Sequence, residues 1–446
     1  MDATKIPTGG AAPIERPSTA AQAPTGTPLD FPGVFAGYVS KMRTYRNFIS
    51  LTLGVVPQIS NALADRTLTR FAEKHGRKRS DLSDNSRTVY ELDNRLREFS
   101  IENDEIRAGI EGATMLPEVM IIGLISAYDS FLWQLLRVVL NKHPSIVLTS
   151  EKSIRFSELS AFNTIEDARN AILDREIESI LRQSHHQQFE TMSDMFNVKL
   201  NENLRVWPRF VELCERRNLL THTGGLVSHQ YRNICTQHGM DTAKISIGEK
   251  LTVDPAYFSN AVHTVSEIGL KLCYVLWRKF AKDERDEADT AFNDQAFELI
   301  ISREYKTAEA LLSFSTGVLK RAGNDRTRRM MIVNLANAMK LQQNEDGCNK
   351  LLDSEDWSAV GDDFAMSLAA IRGNLGEVTR LMRKIGSKGE ISLQDYRTWP
   401  VFRQIRTTPE FSGALIEIFG EPLVVPEAVS AAQNTSVSGS QSQKLH

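Results

Sequence analysis

The sequence predicts an all-α protein, and three observations support this fold class. Apolar residues between positions 32 and 423 mostly recur at the spacing of amphipathic helices. Proline and glycine stand where these segments begin and end, which is the usual punctuation of helices. The C-terminal third also contains a loose repeat of paired helical segments. We therefore expect a helical bundle followed by a short stack of helix pairs.

Composition limits the classes of function that the chain can have. Its 446 residues leave room for two or three domains, and its net charge of −3 provides no overall basic field. Any RNA site must therefore be a local one. The four cysteines form no Cys-x-x-Cys pair, which favours a reducing compartment and no disulfide framework: Cys214, Cys235, Cys273 and Cys348.

Both ends of the chain are poor in large apolar residues. Residues 1–31 are rich in Ala, Pro, Thr and Gly, and residues 424–446 end in a Ser/Gln-rich tail. Such segments bury too little surface to offset the entropy of ordering, so we expect disorder in both. No apolar signal segment follows the N-terminus, which favours a cytoplasmic protein. Residues 32–110 should hold two or three helices, interrupted at Gly76–Ser80.

The most apolar stretch is a helix that we place at Pro117–Leu140. It carries Glu118, Asp129 and Arg137, which argue against a membrane span. We interpret it as a buried helix of a soluble core.

Four more helices follow and complete a bundle over residues 111–286. Their predicted bounds are Ile165–Leu181, His186–Val198, Pro208–Thr221 and Pro255–Ala281. A charged run, Lys279–Asp289, then indicates a domain boundary.

Residues 287–423 are similar to a degenerate tetratricopeptide array. Three helix pairs are expected to turn near Glu304-Tyr305, Asn344-Glu345 and Asn374-Leu375, at spacings of 40 and 30 residues. Trp399–Phe402 and Pro409–Phe419 would cap the array. Stacked helix pairs of this kind usually bind proteins, so we expect a regulatory protein there, although an unrelated helical domain remains the alternative.

The helix Pro208–Thr221 contains the residues that indicate chemistry. Arg217 falls in the middle of an apolar stripe, seven residues after Phe210. An unpaired buried charge is costly, so Arg217 must be paired or must lie where the stripe opens into a pocket or an interface. Gly224-Gly225 ends the helix and places His222 near the negative end of the helix dipole, where it can exchange protons.

These residue types are suited to RNA cleavage without a metal or cofactor. Arg217 could hold the phosphate, His222 could act as acid or base, and Asn218 could orient His222 or a phosphate oxygen. One copy of the motif supplies a single histidine, whereas the reaction requires both an acid and a base. A symmetric dimer would bring two copies together.

Arg217-Asn218-Leu219-Leu220-Thr221-His222 resembles the signature of the HEPN ribonucleases (higher eukaryote and prokaryote nucleotide-binding domain). The signature is an arginine, often followed by a polar residue, with a histidine after four to six residues. The resemblance implies a helical bundle that dimerises and cuts RNA without metal, leaving a 2′,3′-cyclic phosphate. It also implies a bacterial toxin or phage-defence effector, with RNA as the substrate.

Several alternatives stay open at this level. Arginine–histidine pairs at similar spacing recur, and Arg232-Asn233 with His238 also has the asparagine, although it lies in a stretch without clear helical period. The motif could also be a paired arginine and a capping histidine in an inactive dimerisation or RNA-binding scaffold.

Neighbouring residues have competing interpretations too. Asp129 could pair with Arg217, and Arg216 could contact RNA; a solvated position is the simpler interpretation of each. His185-His186 lacks further ligands for a metal. The basic runs at Lys74–Arg79 and Arg326–Arg329 are more simply solvated than bound to phosphate.

Overall fold

The computed structural model describes residues 29–49, 55–79, 88–91, 96–148, 162–202, 204–317 and 324–421. The disorder expected for residues 424–446 lies outside this part of the chain. The same holds for the expected disorder of residues 1–31, except at its last three positions. Phe31 is the first residue of a helix and is fully buried, so the prediction of disorder is wrong at this position.

The described residues form an all-α fold, as the sequence predicts. The bundle contains α1 (Phe31–Ile49), α2 (Val56–His75), α3 (Leu96–Lys142), α4 (Ser145–Leu148), α5 (Ile165–Leu181), α6 (His185–Phe196), α7 (Trp207–His222), α8 (His229–Gln237) and α9 (Pro255–Phe280). The C-terminal part contains α10 (Arg285–Ile301), α11 (Tyr305–Gly317), α12 (Asp325–Leu341), α13 (Glu345–Asp353), α14 (Asp362–Ile371), α15 (Leu375–Ile385), α16 (Leu393–Thr398) and α17 (Pro409–Phe419).

A two-stranded antiparallel sheet lies where the sequence predicts only a polar break. Arg77–Lys78 pairs antiparallel with Tyr90–Glu91, and Arg79 forms an ion pair of 3.2 Å with Glu91. Part of the N-terminal basic run is therefore engaged in local structure.

The apolar helix α3 is longer than the sequence indicates. It begins at Leu96 and continues through Pro117, although proline usually marks a helix start. The stretch Arg107–Lys142 is the one candidate membrane span among the described helices, by length and composition alone. A core helix of a soluble protein passes the same test, and 44% of the most apolar window of this stretch is buried.

The main core joins the bundle to the first helices of the C-terminal part. It runs from Phe31 to Ala338, and so it passes the position near 286 where the sequence indicates a boundary. Close packing of α1 on α9 anchors it. The hydroxyl of Tyr38 donates to the carbonyl of Val265 at 2.6 Å, and a Cβ at Gly269 would lie 2.4 Å from the Tyr38 ring.

Three helix pairs turn where the sequence predicts, at residues 302–304, 342–344 and 372–374. The middle residue of each turn is left-handed: φ is 65° at Arg303, 65° at Gln343 and 74° at Gly373. The next amide donates to a carbonyl five residues back, from Glu304 to Leu299 (2.8 Å), Asn344 to Met339 (3.0 Å) and Asn374 to Ala369 (2.8 Å). The same cap also ends α6 and α8, so it is a common way to end a helix. The likeness of the helix pairs to tetratricopeptide arrays stays a prediction.

Two smaller cores complete the C-terminal part. One lies between α12, α13 and α14, and the other packs α14 and α15 against α16, α17 and the 3-10 turn Pro400–Phe402. The aromatic rings of Tyr396, Phe402 and Phe411 are fully buried in the second, where they close the end of the stack.

Candidate functional site

Helix α7 supplies the candidate motif and ends where the sequence predicts. It runs from Trp207, with Pro208 in its first turn, to His222. Gly224 and Gly225 follow with φ of 61° and 86°. A Cβ on Gly225 would lie 2.9 Å from the carbonyl oxygen of Leu251, so only glycine fits this close turn.

Arg217 is paired, but loosely. Its Nη2 lies 3.6 Å from Oδ2 of Asp129 on α3, and its side chain keeps 23% of its exposure. That distance exceeds a hydrogen bond. Its Nε is buried and has no hydrogen-bond partner among the described residues. The pairing with Asp129 that the sequence suggested is thus present, and it leaves hydrogen-bonding capacity on the guanidinium unused.

Asp129 is also bound to a histidine that sequence reasoning considered only as a metal ligand. His185 Nε2 lies 2.9 Å from Asp129 Oδ1, and His185 is 6% exposed. Asp129 therefore bridges His185 on α6 and Arg217 on α7. Only the possible His185-His186 metal pair drew attention to His185, because its partner is 56 residues away in the chain.

Asn218 is directed toward a buried carboxylate. Its Nδ2 donates to Oε1 of Glu215 at 3.4 Å, and Glu215 is only 6% exposed. Burial raises the pKa of Glu215, while His185, the hydrogen bond from Asn218 and the charge of Arg217 oppose that rise. No bond joins Asn218 to His222 in the described chain, so the orienting role toward His222 is absent from this arrangement.

His222 lies at the last position of α7 and is exposed. None of the described residues forms a hydrogen bond or ion pair with its imidazole. A free imidazole at a helix C-terminus is available to solvent and to a ligand. The imidazole therefore makes no capping contact within the described chain.

Arg216 has a structural role. It donates to Oε1 of Glu212 and to the carbonyl of Thr252, both at 2.8 Å, and its guanidinium lies 4.0 Å from the centre of the Tyr257 ring. Only 12% of its side chain is exposed. The RNA contact suggested for Arg216 would require these interactions to break.

The second arginine-asparagine pair lies on a helix, contrary to expectation. Arg232 and Asn233 are within α8, and His238 caps its end. His238 is, however, held by its surroundings: Trp207 Nε1 donates to its Nδ1 at 3.4 Å, and its ring lies 4.8 Å from that of His186. His238, the histidine of the second motif, is therefore packed against other side chains, whereas His222 of the first motif is free.

The basic run on α12 is paired within the protein. Arg326 pairs with Asp363, Arg328 with Glu355 and Arg329 with Asp325. Among the described residues no group of three or more His, Cys, Asp or Glu is placed to hold a metal ion. All four cysteines are buried and free.

No protein-family model, curated protein or solved structure matches this chain. The residues of the site are therefore the basis for inferring its function. They form a partly exposed arginine beside an aspartate–histidine pair and a free histidine five positions later on the same helix.

Proposed function

We propose that the protein is a metal-independent endoribonuclease of HEPN type. The observation that carries the proposal is the state of Arg217 and His222. One is a partly exposed arginine with unused donor capacity, and the other is a free imidazole in the same last turns of α7. The proposal includes a cytoplasmic location and a role as a bacterial toxin or defence effector.

The proposed reaction uses the ribose of the substrate as the nucleophile. The 2′-hydroxyl loses its proton to a base and attacks the adjacent phosphorus. The bond to the 5′-oxygen breaks, and that oxygen takes a proton from an acid, which leaves a 2′,3′-cyclic phosphate and a 5′-hydroxyl. Arg217 would hold the phosphate, whose negative charge grows during attack. His222 would serve as the acid or the base.

The proposed active form is a homodimer. A single chain provides one free histidine at the motif, whereas the reaction uses both an acid and a base. Two copies related by a twofold axis would pair their motifs and supply both groups. The helix pairs of the C-terminal part would bind a regulatory protein, as stacked helix pairs commonly do.

A catalytically inactive dimerisation or RNA-binding scaffold is the second candidate. The observation that favours it is the ion pair between Arg217 and Asp129, which can serve structure alone. In that case the exposed His222 would have no chemical role.

Cleavage of a mixed RNA pool in EDTA tests the proposal. Wild type should cut, and His222→Ala should lower the rate by about 10²–10⁴-fold, the usual contribution of a general acid or base. His229→Ala is a matched control, because His229 is an exposed histidine seven residues further along, at the start of α8. Arg232→Ala tests the second arginine-asparagine pair. Both should cut as wild type does.

Two outcomes would count against the ribonuclease. Equal cutting by His222→Ala and wild type would point to a contaminating nuclease. The scaffold would be favoured if the wild type protects RNA but does not cut it, even after addition of host or phage-infected lysate. Light scattering on each variant establishes whether dimers persist, and product ends with 2′,3′-cyclic phosphate would support the proposed step.

A further inference from the structure

A polar pocket lies between the bundle and the first helix pair, near the N-terminal end of α7. It has a volume of about 380 Å³ and is lined by residues of α7, α9, the turn 302–304 and the start of α11. Small-molecule sites commonly enclose roughly 300–1,000 Å³. The pocket therefore has the size for a small ligand.

Three exposed cations line this pocket: Arg209, Arg303 and Lys306. None of them forms an ion pair within the described part of the chain. This differs from the basic run on α12, where Arg326, Arg328 and Arg329 each have an acidic partner. Three cations from three elements line one pocket without ion-pair partners in the described chain, and their combined charge favours an anion there.

The pocket has fewer acidic groups than cations. Glu267 forms a buried pair with Lys271 at 2.5 Å. Glu304 lies 3.3 Å from His263 Nε2 and its charge also acts on Arg46, but burial lowers the pKa of His263, so the histidine does not neutralise Glu304 at neutral pH. His263 is fixed from its other side by the hydroxyl of Thr307, 3.0 Å from Nδ1. The remaining charge of the pocket is positive in a chain whose net charge is −3.

Backbone geometry adds one feature. Tyr305, Lys306 and Thr307 form the first turn of α11 and line the pocket, and first-turn amides have no partner inside their own helix. Such a turn attracts anions, phosphate above all. The φ of 65° at Arg303 is shared by Gln343 in the second turn, so it belongs to these helix ends and does not by itself indicate a ligand.

We propose that this pocket binds a small phosphorylated ligand of nucleotide size. Its phosphates would contact Arg303, Lys306 and Arg209 and the first turn of α11. The inference does not depend on ribonuclease activity, because the pocket is built by the opposite end of α7 from His222. Bound between α9 and the first helix pair, the ligand would stabilise the junction of the two parts.

Calorimetric titration of the full chain tests this proposal with tripolyphosphate, ATP, inorganic phosphate and an RNA oligonucleotide. We expect saturable binding of ATP or tripolyphosphate with one site per chain, weakened by added salt. Arg303→Gly should weaken it about tenfold or more, because it removes a charged donor. The same variant suits the left-handed backbone, so misfolding should not mimic the effect. Lys306→Gln should also weaken binding.

Gln343→Gly is the matched control, since Gln343 occupies the equivalent left-handed position in the second turn. It should bind as wild type does, and so should His222→Ala. No saturable binding of any phosphate probe would overturn the proposal. Wild-type affinity in Arg303→Gly, or binding of the RNA oligonucleotide alone, would overturn it as well.

Discussion

Two adjacent arginines of α7 enter polar clusters of opposite character. The closed cluster consists of Glu212, Arg216, Tyr231 and Tyr257; the open cluster consists of Asp129, His185, Glu215 and Arg217. In the closed cluster the Glu212 carboxylate accepts from Arg216 at 2.8 Å, Tyr231 at 2.7 Å and Tyr257 at 2.8 Å. In the open cluster the shortest contact from Arg217 to an acid is 3.6 Å.

The difference shows why sequence adjacency is a poor guide to function. Neighbouring residues on a helix point about 100° apart, so Arg216 and Arg217 meet different helices. Arg216 donates hydrogen bonds to Glu212 and Thr252 and stacks on the Tyr257 ring, which is consistent with a structural role. Arg217 has a donor group without a hydrogen-bond partner and is partly exposed, which is consistent with contact to a ligand.

The largest expected effect concerns the closed cluster. Glu212→Gln should lower the free energy of unfolding by about 3–5 kcal/mol, because it leaves the buried charge of Arg216 without a counter-ion. Urea denaturation measures this as a lower midpoint at unchanged slope. A loss below about 1 kcal/mol would show that the cluster is less closed than its contacts indicate.

The matched substitution in the open cluster should cost less. Asp129→Asn keeps an oxygen that can accept from His185 and removes the carboxylate charge that both His185 and Arg217 face. Because Asp129 is 35% exposed and the pair is 3.6 Å long, we expect a loss of about 1 kcal/mol or less in the same urea experiment. A loss equal to that of Glu212→Gln would remove the distinction between the two clusters.

Much of the fold could be predicted from local signals. Helix bounds at Ile165–Leu181 and near Pro255–Phe280 follow from apolar period and terminal proline, and the three turns of the helix pairs follow from spacing. The end of α7 at His222 follows from Gly224-Gly225. Each of these depends on residues close together in the chain.

The rest depends on contacts that no local pattern encodes. The sequence offers many acids for Arg217, and Asp129 is selected only because α3 packs against α7. The bond from His185 to Asp129 needs a third helix, α6, in place. The sequence places the start of α3 at Pro117 because proline is common in the first turn of a helix. The helix instead begins at Leu96 and continues through Pro117.

The smallest expected effect concerns the buried Glu215 of the open cluster. Burial raises the pKa of Glu215 above its ordinary value of 4.5, so the folded state holds this proton more tightly than the unfolded state does. Its contribution to stability is therefore full below that ordinary value and is lost as pH rises through the raised one. Glu215→Gln removes the titration and keeps an oxygen that can accept from Asn218. Measured by urea unfolding between pH 4.5 and pH 7, the variant should gain stability relative to wild type as pH rises. A constant difference across this range would mean that the open cluster accommodates the Glu215 carboxylate as readily as water does.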